Sequence, residues 1–245
     1  MKTKAWHRTI GSWLTLIALV ISTNRLSSGE ASSYWLLGTF STFMLISLTI
    51  TVGYHRLFNH KSFDCSSFWK WVFGIVGCAS LNSSPFYWSV VHSNHHIKSD
   101  TPDDPLDSTW RHFFRFKDRS NLKVTASDIK LIREPMHKFL TDYSFGIAIA
   151  FAVVASIFGL NSFLFLYALP VGLYLISSGI HNIVAHRDFK LNKGPQNHWW
   201  LEFVIPLGGE WIHKVHHQSP RLTNWNVNPK YLDLGGLLIN HIRTK

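Results

Sequence analysis

The sequence has few charged residues and few cysteines, and each shortage excludes a class of protein. Charged residues make up 16% of the 245 positions, whereas about 25% is usual for a soluble protein. The two cysteines, Cys65 and Cys78, lack the spacing of a disulfide framework or a zinc ribbon, so we expect reduced, structural thiols. What the chain has instead is 46% hydrophobic residues, a composition that favours a membrane protein.

Apolar stretches predict four membrane-spanning helices, since a span needs about 20 apolar residues. The first stretch, residues 10–26, is short. A secretory signal peptide is the alternative for it, but a second apolar stretch follows after a short polar turn, which favours a retained span. The other predicted spans are residues 32–54, 143–160 and 162–181. A fifth apolar piece, residues 69–85, is too short to cross and is predicted to be interfacial or re-entrant.

The 24 lysines and arginines are distributed unevenly between these segments. Three precede the first span, one (Arg25) lies at its end, twelve lie in residues 54–142 and eight in residues 187–245. Because positive charge accumulates on the cytoplasmic side of a membrane, this pattern predicts cytoplasmic termini and a cytoplasmic middle segment. It also accounts for the net charge of +10. The basic residues form no tract and no recognition motif is present, so we expect no nucleic-acid partner.

Two of the histidine groups share one spacing. The motif "HSNHH" occupies residues 92–96 and "HKVHH" occupies residues 213–217. In both, the imidazoles stand at i, i+3 and i+4, which places them on one face of a helix. His55 and His60 are five residues apart and would point about 140° away from each other on an α-helix. They can converge only if the helix ends or bends there, unless they serve different partners.

A further histidine, His186, follows the fourth predicted span and lies four residues after Asn182. So many unpaired imidazoles would be costly to bury together, and convergence on metal relieves that cost. Imidazole suits zinc, copper, iron and nickel. Eight or nine ligands exceed the capacity of a single site, so two metal ions are expected.

The remaining histidines and the nearby carboxylates receive weaker assignments. Isolated histidines are expected to be ordinary surface or core residues: His7, His112, His137, His198 and His241. Carboxylates near the metal-ligating motifs could accept hydrogen bonds from imidazole N–H groups: Asp100, Asp103, Asp104, Asp107 and Glu210.

Together these motifs resemble the membrane fatty acid desaturases, in particular the delta-9 type that acts on saturated acyl chains. The resemblance rests on "HRLFNH", "HSNHH", "NIVAH" and "HKVHH", and on "SDTPDDP", "IREPMHKFLTDY" and "NHWWLEFVIPLGGEW". It covers most of the chain and implies a single desaturase domain over residues 1–245. The implied fold is an all-α integral membrane protein, with four spans and a cytoplasmic helical cap that holds a di-iron centre.

The resemblance also implies the chemistry and the residues that carry it. Two Fe²⁺ ions and O₂, with two electrons, would remove two hydrogens from adjacent methylenes and leave a cis double bond. An unactivated methylene has no acidic proton, so a strong oxidant is needed. The implied iron ligands are His55, His60, His92, His95, His96, His186, His213, His216 and His217. Asn182 would support one iron through water, and Asp104 and Glu210 would hold the ligands in place.

Substrate and donor follow from the same comparison. An apolar tunnel must select one methylene of a featureless chain, and its predicted wall residues are Pro85, Phe86, Tyr87 and Trp88. Relatives that act on acyl-CoA often carry charged residues at positions occupied here by Val90, Val91, Ser93 and Asn94. This favours an acyl-lipid and leaves acyl-CoA open. The chain ends 28 residues after His217, so we expect a separate electron donor, a ferredoxin or a small cytochrome, attracted by the basic face.

Two other functions remain open at this point. A lipid or carotenoid hydroxylase or ketolase could use the same metal ligands. A membrane metal transporter is disfavoured, because it requires ionisable ligands along a path through the bilayer, and the histidines of this chain gather on one side.

Overall fold

The computed structural model of the chain describes residues 6–106, 121–186, 194–204, 208–225 and 233–244. For residues 6–12 and for Phe203 it describes the backbone alone. The side chain of His7 and the residues Asp107 and His112 therefore lie outside the described part.

Helices are the regular elements of the described residues, which agrees with the predicted all-α class. In chain order they are α1 (Trp6–Ser27), α2 (Trp35–Asn59), α3 (Ser67–Ala79), α4 (Pro85–Lys98), α5 (Ala126–Arg133), α6 (Pro135–Ile157), α7 (Leu160–Ala185), α8 (His213–Gln218) and α9 (Leu234–Ile242). A short 3-10 helix occupies Trp199–Phe203.

Three of these helices, α2, α6 and α7, are long and apolar enough to cross a membrane. The chain is thus a membrane protein, as its composition predicted. The described apolar part of α1, Trp13–Ser27, is shorter than a span, so the fourth span stays a prediction. One face of α1 packs along α7, where Thr15 lies against Gly172. Its other face is apolar and exposed, with Val20 70% accessible, which favours contact with lipid.

The helices α1, α2, α6 and α7 are each longer than the span predicted for them, and α6 and α7 show why. α6 begins at Pro135 instead of residue 143, because Pro135 is well suited to a first helical turn. Lys138 also pairs with Asp142 four residues on at 3.2 Å, so polar residues that an apolar criterion rejects continue the helix. α7 passes residue 181 and ends at Ala185, since the polar residues of its last turns are buried against protein instead of lipid.

The hydrogen-bond register of α2 changes partway along the helix. From Thr49 to Asn59 the helix is a π-helix, in which hydrogen bonds join residues five apart. The backbone N–H of His60 donates to the carbonyl of His55 at 3.0 Å. Residues five apart therefore lie close together on the helix surface, and the two imidazole centroids are 4.9 Å apart. The convergence of His55 and His60 is achieved by this change of register.

The segment predicted as interfacial or re-entrant, residues 69–85, divides between two helices. α3 packs against α6 and the π-helical part of α2, and it ends at Ala79. Pro85 belongs instead to the first turn of α4, which Ser84 caps by accepting a hydrogen bond from the backbone N–H of Tyr87 at 3.2 Å. This arrangement buries α4 beside the end of α2 and sets the first histidine motif next to His55.

The close packing of α2 on α3 requires a glycine at position 53. A Cβ atom at Gly53 would lie 2.4 Å from the Cβ of Phe73, an atom that cannot move unless α3 moves. We expect Gly53→Ala to lower the midpoint of thermal unfolding in detergent by ~2–12 °C, since overpacking costs ~1–3 kcal/mol. Gly146→Ala, in α6, is the matched control, because nothing lies within 4 Å of a Cβ there. Equal midpoints for the two variants would contradict this account of the α2–α3 contact.

Candidate metal centre

The nine histidines proposed as metal ligands come together at the ends of α2, α4, α7 and α8, in two groups. The five-histidine group consists of His55, His60, His92, His96 and His216. The four-histidine group consists of His95, His186, His213 and His217. Within each group the ligand atoms all lie within 4.8 Å of one another. This partition is compatible with two metal positions.

Each HxxHH motif contributes to both groups. α4 supplies His92 and His96 to the five-histidine group and His95 to the four-histidine group. α8 does the reverse, since His216 joins the five-histidine group while His213 and His217 join the other. The two helices therefore interleave their imidazoles, and neither motif alone forms a site.

The Nε2 atoms of the five-histidine group form a continuous series of short contacts. The separations are 3.1 Å for His55–His216, 3.0 Å for His216–His96, 3.0 Å for His96–His92 and 3.2 Å for His92–His60. Two facing nitrogens can share only one proton, so neutral rings alone cannot satisfy every contact. Metal–nitrogen bonds are about 2.1 Å long for zinc. Two nitrogens bound to one ion at an N–metal–N angle of about 90° are therefore ~3.0 Å apart, so the observed separations fit a metal ion.

Three carboxylates hold the outer nitrogens of the rings. The Nδ1 atom of His55 lies 3.0 Å from Glu210, and that of His95 lies 2.9 Å from Asp104. The Nδ1 atom of His186 lies 3.2 Å from Asp100. A carboxylate that accepts from Nδ1–H leaves Nε2 unprotonated and free to bind metal. Asp104 and Glu210 thus lie beside candidate ligands, whereas Asp103 is exposed.

Burial favours neutral imidazoles in both groups. It lowers the pKa of His60 and of His96 to about 2 each, and the neighbouring histidines act in the same direction. Burial alone would raise the pKa of Glu210, but its contacts with His55 and other neighbours lower it to about 2. The rings of His60 and His96 are therefore unprotonated and Glu210 is ionised near neutral pH, which is the state that metal binding requires.

Three buried nitrogens in or beside the four-histidine group have no hydrogen-bond partner among the described residues. They are the Nε2 atom of His95, whose Nδ1 atom is held by Asp104, the Nδ1 atom of His213 and the amide nitrogen of Asn182. An unpartnered imidazole lone pair is expected of a nitrogen that binds metal. Asn182 lines the same cavity as His95 and His213, and its water-mediated role stays a prediction.

A cavity contacts both groups of histidines. Its lining includes His55 and His92 of one group, His95 and His213 of the other, and the side chains of Trp88, Tyr174 and Asn182. Of the four predicted tunnel residues, Trp88 lines this cavity and stacks on His92 with a centroid distance of 4.7 Å. Phe86 packs into the hydrophobic core, Pro85 is buried and Tyr87 is half-buried.

Sequence reasoning missed one histidine of the cavity, His181. It is buried, and its Nε2–H donates to the backbone carbonyl of Glu210 at 3.0 Å. Together with Glu210 and His213 it forms a third cluster of possible ligands. The only signal in the sequence was its place in "HNIVAH", directly before Asn182.

The comparison with protein families agrees with this geometry. Residues 32–233 match the family model of the fatty acid desaturases. The chain belongs to the fatty acid desaturase family. This desaturase is therefore an oxidoreductase, and its histidine clusters have the composition of a metal site.

Relatives of this desaturase have been named for two kinds of substrate. It is 28% identical over 207 residues to the sn-2 palmitoyl-lipid 9-desaturase of Nostoc sp., a match that covers 77% of this chain and 68% of the relative. It is 28% identical over 196 residues to the sn-1 stearoyl-lipid 9-desaturase of Anabaena variabilis, and this match covers 75% of this chain and 68% of the relative. It is also 25% identical over 243 residues to acyl-CoA desaturase 1 of Saccharomyces cerevisiae, and this match covers 88% of this chain and 46% of the relative.

We expect the metal affinity of this desaturase to depend on the carboxylates that hold its candidate ligands. Asp104→Asn removes the charge that holds Nδ1 of His95, and we expect it to weaken metal binding at the four-histidine group ~10–100-fold. The metal retained per chain after dialysis against a graded series of chelator concentrations measures the effect. Asp103→Asn is the control, since Asp103 is the exposed neighbour. Equal retention by both variants would show that Asp104 does not support a ligand.

Proposed function

We propose that this protein removes two hydrogens from adjacent methylenes of a saturated acyl chain and leaves a cis double bond at position 9. O₂ is the co-substrate and two electrons are consumed. The observation that carries the proposal is the convergence of nine imidazoles in two groups, with members of both groups lining one cavity. The 9-position is supported by the names of the lipid desaturases that the chain matches.

Two iron ions suit the ligands, because imidazole binds iron well and no thiolate belongs to either group. His55, His60, His92, His96 and His216 would hold one ion, and His95, His186, His213 and His217 the other. Iron, when bound, supplies the oxidising chemistry that an unactivated C–H bond requires. Asp100, Asp104 and Glu210 fix the tautomers of three ligands, and this preorganises the site.

The cavity places the reacting methylenes. Its described walls include the side chains of Ile50, Trp88, Leu106 and Tyr174, and histidines of both groups also belong to its lining. An acyl chain in contact with these walls carries no polar label along its length, so the shape of the cavity selects the carbon that faces the metals. The four candidate ligands that line the cavity, His55, His92, His95 and His213, are buried, which keeps bulk water from the same point.

The carrier of the acyl chain is proposed to be a glycerolipid. The four uncharged positions in and before HSNHH give less support to this choice than their lack of charge suggests. Val90 and Val91 are buried, and Asn94 is fully buried, with its side-chain amide bonded to the backbone of Lys123 at 2.7 and 2.9 Å. These residues pack α4 in place, so the support for an acyl-lipid comes from the two lipid desaturases among the relatives.

The orientation and the donor complete the proposal. Both termini and the metal centre lie in the cytoplasm, and α1 is the fourth span, in keeping with the distribution of lysine and arginine. A ferredoxin or a small cytochrome supplies the electrons. His60, His96 and His217 are only partly buried, so electrons can enter both groups at an accessible edge.

Expression in a host with a simple lipid profile tests the function. We expect new cis double bonds at position 9 of host lipids, mapped by mass spectrometry of the fatty acids. His92→Ala, His96→Ala, His213→Ala and His217→Ala should abolish the product while the protein still accumulates in the membrane. His241→Ala is the control, since His241 is exposed and belongs to neither group.

Two results would contradict the proposal. Hydroxylated chains without new double bonds would make the protein a lipid hydroxylase. Full activity in one of the four variants would remove that histidine from the ligand set.

A further inference from the structure

A buried arginine lies next to the five-histidine group and takes no part in the chemistry described above. Arg56 follows His55 in the π-helical part of α2 and is 0% exposed. It pairs with Asp233, which is 177 positions away in the chain, at 2.9 and 3.1 Å. A buried ion pair is weak support for stability, because apolar residues of similar volume are often as stable. Its position next to a metal ligand therefore calls for another explanation.

The guanidinium group of Arg56 binds the chain segment before α8 and the segment after it. It donates to the carbonyl of Gly208, before α8, and to the carbonyl of Thr223, after α8, the latter at 2.9 Å. Asp233 accepts from the backbone N–H of Trp225 at 3.2 Å and from that of Gly236 at 2.8 Å. One side chain of a membrane helix thus fixes the segment that supplies three of the nine candidate ligands.

This ion pair occupies space that is open because three neighbouring residues are glycines without a Cβ atom. A Cβ atom at Gly209, where φ is +71°, would lie 2.9 Å from the carboxylate carbon of Asp233. At Gly236 it would lie 2.9 Å from a carboxylate oxygen, and at Gly235 3.3 Å from a guanidinium nitrogen of Arg56. The surrounding backbone is therefore fitted closely to the pair.

Trp225 connects the ion pair to the imidazoles. The guanidinium carbon of Arg56 lies 3.9 Å from the centroid of the Trp225 ring, a cation–π contact. The same ring lies 4.9 Å from the ring of His55 and 4.7 Å from that of His216. These are the two imidazoles whose Nε2 atoms are 3.1 Å apart although they are 161 positions apart in the chain.

We propose that Arg56, Asp233 and Trp225 form a positioning unit that holds His216 of α8 against His55 of α2 and so sets the metal affinity of the five-histidine group. This inference rests on the proposed metal-binding function. None of the three residues is proposed to touch the metal or the substrate.

The test uses the full chain in detergent, loaded with ⁵⁷Fe²⁺ without oxygen and studied by Mössbauer spectroscopy. His60→Ala and His186→Ala assign the signals of the two groups. We expect Arg56→Gln to weaken iron binding at the five-histidine group ~10-fold and to shift its signal, while the other signal is unchanged. Arg56→Lys should restore part of the affinity, because it keeps the charge but loses the forked geometry. Trp225→Phe should shift the same signal with the fold intact.

Arg25→Gln is the matched control, since Arg25 also joins distant segments through Asn161, at 2.6 Å, but belongs to neither histidine group. Unchanged spectra in both Arg56→Gln and Trp225→Phe would overturn the inference. Equal loss of both signals would also overturn it, because it would indicate a general role in folding. If Arg56→Gln fails to fold, the spectrum of Trp225→Phe decides. A wild-type chain that bound no iron would overturn the proposed function, and this inference with it.

Discussion

Facing imidazole nitrogens can share only one proton per pair, and the packing of the histidine groups depends on this limit. His216 and His96 each face two other rings of the five-histidine group at about 3 Å, so neutral rings on their own would leave lone pairs opposed. A cation removes that repulsion. A metal ion binds such imidazole nitrogens, so the histidine-bearing parts of α2, α4, α7 and α8 can lie side by side.

The π-helical register of α2 joins this centre to the membrane. An uninterrupted α-helix would turn His60 away from His55, whereas the change of register from Thr49 onward brings both rings to one side. The same stretch carries Arg56, which reaches the segments on either side of α8. A single membrane helix thus supplies two candidate ligands and the attachment point for three more, and both depend on residues 49–59 keeping one backbone geometry.

Local features of the sequence predicted a large part of this arrangement. Spacing alone identified the two HxxHH motifs, and apolar length identified the helices that can span a membrane. The π-helix was not predictable, because its register depends on packing against α3 and α4. The division of each motif between two groups and the pairing of Arg56 with Asp233 join residues more than 100 positions apart. Boundaries erred where polar residues continued a helix, as at Pro135.

The central claim is that nine imidazoles form two metal positions on one cavity. Crystals of the iron-loaded chain, measured on both sides of the iron absorption edge, test it most directly. The account predicts two anomalous peaks, one among the Nε2 atoms of His55, His60, His92, His96 and His216, the other among the nitrogens of His95, His186, His213 and His217. A single peak, or peaks away from these nitrogens, would contradict it.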